Sequence, residues 1–327
     1  MSATQRRVAA IDCGTNSIRL LVADLSLSPA GVYLQDVHRE LRMVRLGQGV
    51  DATGRLAPEA LDRTWRALAD YSAIIRASGC DGVRMTATSA TRDAANAADF
   101  TAMVQRTLGQ PPEVIAGTEE AALSFRGAVG DLAADDGPFL VFDIGGGSTE
   151  FVVGSVTDGA VELAGAVSQN IGSVRITERL LRSDPPTLPE IAAARAWARE
   201  MVATGLDALP AGALASARTV VAVAGTATTV AAVALDLPVY EPTRIHLARL
   251  SVDAIAAQSA LLLGMTAAER VALGYMHPGR ADVIGGGSLV FATVAGLVAE
   301  RLGVRELVVS EHDILDGVAL SLAPTSV

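Results

Sequence analysis

The sequence predicts an α/β fold made of two layered domains, and three observations carry that prediction. A hairpin-like motif occurs twice, strand-like apolar runs alternate with helix-like stretches, and 327 residues exceed what one hydrophobic core commonly organises. The first copy is Asp12-Cys13-Gly14-Thr15-Asn16-Ser17-Ile18-Arg19; the second is Asp143-Ile144-Gly145-Gly146-Gly147-Ser148-Thr149-Glu150. Each follows one short apolar run (Val8 to Ile11; Phe139 to Phe142) and precedes another (Ile18 to Val22; Phe151 to Val153). A strand, an acid, a glycine-rich turn and a strand form a hairpin whose tip can offer bare backbone N–H groups to an anion. The repeat suggests duplicated halves facing one another across a phosphate.

In chain order, the first hairpin is followed by Gly31 to Asp36, expected as a third strand, and by the turn-rich Gly47 to Gly54, expected as a loop. Pro58 to Ser78 spaces Leu61, Trp65, Leu68, Ala69 and Ile75 as an amphipathic helix does. Val83 to Ala87 reads as a strand, and Thr88 to Asp93 as a polar turn opening a further helix. Val114 and Ile115 make a short strand. Thr118 is placed to cap the next helix, with Glu119 and Glu120 complementing its dipole. Gly130 to Pro138 is the best linker, which puts the domains at 1–132 and 133–327. The last helix, from about residue 313, is free to pack back on the first domain.

The second half repeats the plan with a hairpin over Phe139 to Val153 and a strand near Val161 to Ala164. A Pro-rich loop, Asp184 to Pro189, then introduces a helix running to Leu206. Thr219 to Leu235 carries no charge. It is short for a membrane span and reads as a buried strand, a turn at Gly225-Thr226 and a buried helix. Leu250 to Leu263 and Ala281 to Ala299 read as helices, the latter opened by Gly285 to Gly287, and Leu307 to Val309 as the final strand.

Composition narrows the function. Half the residues are hydrophobic and 19% charged, as in an ordinary folded protein; aromatics are only 4%, so the core rests on Ala, Val, Leu and Ile. A formal charge of −10 argues against broad nucleic-acid binding but leaves room for an anion held by local Arg and N–H groups. Lysine is absent, so every basic side chain is Arg. The two cysteines and the lack of a signal peptide point to a reducing cytoplasm, with no membrane segment. Cys13 lies in the first turn, yet no Cys-x5-Arg cradle surrounds it, so it reads as a small buried hydrophobe rather than a phosphatase nucleophile. The four histidines, His38, His246, His277 and His312, show no His-x-x-x-His spacing, and no zinc site is expected from them.

The acids at matching offsets, Asp12 and Asp143, suit Mg²⁺, which prefers oxygen ligands and keeps much of its water. Each is also a turn-forming residue in its own right. Together with Thr88 to Ala94, Gly117-Thr118-Glu119-Glu120-Ala121, Gly225-Thr226, His277 to Ile284 and Ser310 to Gly317, these motifs resemble the exopolyphosphatase/guanosine pentaphosphate phosphohydrolase family, in the actin–hexokinase–Hsp70 ATPase superfamily. The resemblance spans nearly the whole chain. It implies two actin-like (ribonuclease H-like) domains with an interdomain cleft. It also implies that Glu120 is the catalytic carboxylate, orienting a water and accepting its proton.

By the same resemblance, Arg19 and Arg92 hold the phosphate chain. Gly14, Asn16, Ser17, Gly145, Gly146, Gly147, Ser148, Gly225 and Thr226 bind substrate phosphates, and Asp143, with Asp12 and Glu150, positions Mg²⁺. The implied substrate is inorganic polyphosphate, with guanosine pentaphosphate as the alternative. A non-hydrolysing sensor of polyphosphate or nucleotide is a reading of another class; a sugar kinase is a further option within the superfamily, though the Glu119-Glu120-Ala121 motif fits hydrolysis better. Longer relatives carry an extra C-terminal helical region, so a preference for shorter polyphosphate chains is expected here. A homodimer is compatible with the resemblance, and neither nucleic acid nor membrane is expected as a partner.

Overall fold

The computed structural model describes residues 5–28, 31–157 and 160–323. The chain divides into two compact units. Among the described residues, one contains 5–127, Ala160 and 314–323; the other contains Ala128–Thr157 and Val161–Asp313.

The first unit is built on β1 (Gln5–Cys13), β2 (Ser17–Ser28), β3 (Gly31–Met43), β4 (Gly82–Ala87) and β5 (Glu113–Val114), in the order β3-β2-β1-β4-β5. The β1–β2 and β2–β3 pairs are antiparallel, while β1–β4 and β4–β5 are parallel. Central β1 is apolar from Val8 to Ile11 because both of its faces are covered. Ala9, Ile11 and Cys13 pack with Tyr71 of helix Pro58–Ser78 and Phe100 of helix Ala97–Leu108. Val8 and Ala10 point to the opposite side, where Leu123, Leu315 and Val318 close a second core. Helix Ile314–Leu320, from the far end of the sequence, therefore completes the first unit.

The second unit repeats that plan with β6 (Phe139–Ile144), β7 (Thr149–Thr157), β8 (Ala160–Gln169), β9 (Thr219–Val223), β10 (Ala248–Ser251) and β11 (Glu306–Val309). Its order is β10-β11-β9-β6-β7-β8. Read from β8, the run β8-β7-β6-β9-β11 matches β3-β2-β1-β4-β5, with β6–β7 antiparallel and β6–β9 and β9–β11 parallel. The duplicated motif is thus a duplicated topology. Phe142 on β6 packs against Phe291 of helix Ile284–Leu302, with ring centroids 5.8 Å apart and the planes tilted by 54°. That helix is the one among the described residues long and apolar enough to cross a membrane, but most of it is buried in this core.

Several local expectations change. The segment Gly47 to Gly54 is not all loop: a helical turn, Val50–Thr53, sits between Gly49 and Gly54, both left-handed. Thr118 lies inside the first turn of helix Gly117–Ala128, and the Ala116 carbonyl receives the Glu119 and Glu120 amides instead. No turn separates β9 from its helix. Ala224 at φ +68° makes the corner alone, and Gly225-Thr226 already belong to helix Ala224–Ala234. Helix Ser173–Leu180, which the sequence reading did not foresee, begins against the second hairpin.

Candidate active site

The two hairpins are superposable in their logic. In each, the first glycine N–H donates to the serine carbonyl three residues on, Gly14 to Ser17 and Gly145 to Ser148, both at 3.0 Å. The carbonyls at each tip are then drawn to one side. Thr15 O accepts from Gly47 N at 2.8 Å, and Asn16 O from Val44 N at 3.1 Å and Arg45 N at 2.8 Å. In the second copy Gly145 O accepts from Ser173 N at 2.9 Å, Gly146 O from Val174 N at 2.8 Å, and Gly147 O from Arg175 Nε at 2.7 Å. A trans peptide points its N–H opposite to its C=O. Anchoring these carbonyls therefore turns the Asn16 and Ser17 amides, and those of Gly146, Gly147 and Ser148, the other way, as an anion-binding nest requires. Helix Ser173–Leu180 does this for the second loop, and it comes close: a Cβ on Gly172 would lie 2.6 Å from the Gly146 carbonyl.

The copies differ in charge. Strand register sets Asp12 opposite Arg19 and Asp143 opposite Glu150. Arg19 closes on Asp12 Oδ2 through Nε at 3.1 Å and Nη2 at 2.7 Å, a two-pronged ion pair. In the second copy two buried carboxylates share a register position, with Ser168 Oγ donating to Glu150 Oε1 at 2.7 Å. Two carboxylates at one register position are the oxygen donor set that a hard divalent ion takes, whereas the first copy sets its acid against Arg19.

The remaining predicted residues of the first unit gather on helix Gly117–Ala128 and the turn after β4. Glu120 is 8% exposed and meets Arg92 Nη1 at 3.3 Å; the same nitrogen donates to Ile115 O at 2.9 Å. Its neighbour Glu119 points outward to Arg84 Nη2 at 2.7 Å, and that Arg also holds Glu113. One helical position thus separates a buried, oriented carboxylate from a surface ion pair. Cys13 is buried beside Asp12, and burial pushes its thiol well above the ordinary range, so it supplies no thiolate.

In the second unit, Gly225 and Thr226 open their helix under Arg280. A Cβ on Gly225 would meet the Arg280 guanidinium at 2.3 Å, so only glycine lets that cation lie over the helix start. Arg280 and Arg175 are the basic residues that the sequence reading did not place in the site. The motif His277 to Ile284 held the signal for Arg280, whereas Arg175 lay in a helix it did not foresee. His277 is a cap, its Nδ1 accepting from Gly279 N at 3.1 Å; burial and Arg280 hold its ring below the usual histidine range.

Duplicated strand–acid–glycine hairpins, each with its carbonyls anchored and its amides turned outward, define a phosphate-handling α/β protein of the actin-like, ribonuclease H-like class. The sequence matches the Ppx/GppA phosphatase family over residues 26–324, and the chain belongs to that family. Exopolyphosphatase 2 of Mycobacterium tuberculosis is 52% identical over 322 residues, 97% of this chain and 98% of that one. A solved exopolyphosphatase-like protein is 44% identical with a TM-score of 0.89, covering 97% of both chains. The Ppx/GppA family member of Aquifex aeolicus, also solved, is 29% identical with a TM-score of 0.77 over 97% of both.

Proposed function

We propose that this protein is an exopolyphosphatase that hydrolyses the terminal phosphoanhydride of inorganic polyphosphate and releases orthophosphate in the cytoplasm. The observation that carries the reading is Glu120: of two adjacent acids in one helix it is the buried one, aligned by Arg92. A carboxylate so placed orients a water towards phosphorus and takes its proton as the P–O bond forms. In the second unit the outward amides of Gly146, Gly147 and Ser148, with the Ser148 hydroxyl, suit phosphoryl oxygens, and in the first unit the Asn16 and Ser17 amides do the same. Arg19 and Arg92 in the first unit, and Arg280 in the second, each offer a cation to phosphate.

Asp143 and Glu150 would hold Mg²⁺, which when bound neutralises phosphate charge; Asp12, matched to Arg19, serves the Arg instead. The named activity of the 52%-identical relative supports polyphosphate over guanosine pentaphosphate as substrate.

Orthophosphate release from polyphosphate of several lengths and from guanosine pentaphosphate, with Mg²⁺, tests this. Glu120→Gln should lower turnover by about 10³-fold or more while polyphosphate still binds. Release confined to guanosine pentaphosphate, or full activity in Glu120→Gln, would reject the reading.

A further inference from the structure

Asp131, His246 and His312 lie far apart in sequence but converge within the second unit. Asp131 follows helix Gly117–Ala128, His246 ends the short helix Pro242–Ile245, and His312 stands in the turn after β11. His312 Nδ1 lies 2.6 Å from Asp131 Oδ2, and His246 Nε2 lies 3.4 Å from the same oxygen. One donor atom from each residue falls within 4.8 Å of the other two. The rings stand 4.5 Å apart at their centroids, tilted by 43°.

From this convergence we infer that Asp131, His246 and His312 form a binding site for a zinc-class divalent transition ion, separate from the Asp143–Glu150 pair. The donor chemistry makes the choice. Two imidazoles and one carboxylate are the set that Zn²⁺ and its neighbours take, whereas Mg²⁺ favours oxygen alone. Ligands about 2.0–2.1 Å from a tetrahedral ion stand roughly 3.3–3.5 Å from one another. The His246–Asp131 separation already has that value, and the His312–Asp131 hydrogen bond opens by a side-chain rotation. Asp131 is 46% exposed at its side chain, which gives an ion a path in and leaves a coordination position for water.

Binding asks one change of His246. Its Nδ1 now accepts from Glu311 N at 3.3 Å, so its proton sits on Nε2, the nitrogen facing Asp131. With an ion on Nε2 that proton moves to Nδ1, and the long Glu311 contact is given up. Spacing rules could not show this site, because its members come from three separate loops.

The test is titration of the full chain with Zn²⁺ by calorimetry and with Co²⁺ by visible absorption. The expected result is saturation at one ion per chain that ten-fold excess Mg²⁺ does not displace, with the d–d bands of a low-coordinate Co²⁺ centre. His246→Gln and His312→Gln should each weaken binding by about 100-fold. Ring-nitrogen NMR of the unaltered protein should show the His246 proton moving from Nε2 to Nδ1 as Zn²⁺ is added. No saturable binding, displacement by Mg²⁺, or unchanged affinity and unchanged His246 tautomer would each overturn the inference.

Discussion

Adjacent side chains in one helix can have opposite fates, and Glu119 and Glu120 show why. A helix turns each successive residue by about 100°, so when Glu120 faces inward to Arg92, Glu119 must face Arg84 at the surface. Glu119→Gln is therefore expected to keep orthophosphate release within about two-fold, since exposed ion pairs contribute little; a loss comparable with that of Glu120→Gln would mean the two acids work as a pair. Gly225→Ala should do the reverse of a silent change. Its methyl would strike the flexible end of Arg280, which can swing away, so folding survives while substrate affinity falls. We expect KM to rise by about ten-fold or more with unfolding temperature nearly unchanged. The sequence named Gly225 through its motif but left Arg280 without a role, because a guanidinium lying across a glycine is a fact of packing rather than spacing. The acids Asp12 and Asp143 looked alike in sequence; their difference came only from the residue across the ladder, Arg19 or Glu150, which register decides.

At the scale of elements, hairpins and long helices were legible because their periods are strong, and helix Pro58–Ser78 is found where its apolar spacing put it. Helix Ser173–Leu180 was not legible. It is short, so its apolar face is only Val174, Ile176 and Leu180, and its first amides are spent on the carbonyls of Gly145 and Gly146. Helix Leu188–Ala208 shows the opposite case, a start written in the chain. Thr187 and Glu190 form a capping box, with Glu190 also accepting from the Arg182 and Ser183 amides at 3.1 Å. These hydrogen bonds, the Thr187 backbone foremost, lower the Glu190 carboxyl to about 2. Because the folded value is depressed, the box stabilises fully above about pH 4.3 and fades as pH falls towards 2. Thr187→Ala should lower the unfolding midpoint by about 2–4 °C at pH 7 and by less at pH 3, read by circular dichroism. An equal decrease at both pH values would show that the carboxylate adds nothing.

For the molecule as a whole, the telling feature is that the first unit is completed by the end of the chain. Leu315 and Val318 seal the face of β1 and β2 formed by Val8, Ala10 and Leu21, while Asp316 pairs with Arg39 and the Leu322 carbonyl accepts from Arg6 Nη1 at 2.8 Å. The closest approach is at Gly317, where a Cβ would stand 2.0 Å from the Leu123 carbonyl oxygen and 2.7 Å from its carbon. Those are backbone atoms of helix Gly117–Ala128, three residues past Glu120, and they cannot rotate out of the way. Gly317→Ala must therefore shift one helix against the other, at a cost of about 1–3 kcal/mol. Since the displaced helix carries Glu120, kcat should fall along with stability, by roughly ten-fold for a shift of several tenths of an ångström. Gly296→Ala is the matched control: its site in helix Ile284–Leu302 has nothing within 4 Å of the added methyl, so it should stabilise by about 0.4–1 kcal/mol and leave kcat alone. Denaturant unfolding and initial rates on the same samples separate the outcomes. A Gly317→Ala protein that is destabilised yet fully active would show that the position of Glu120 does not depend on the terminal helix, and that the end of the chain serves the fold without serving the chemistry.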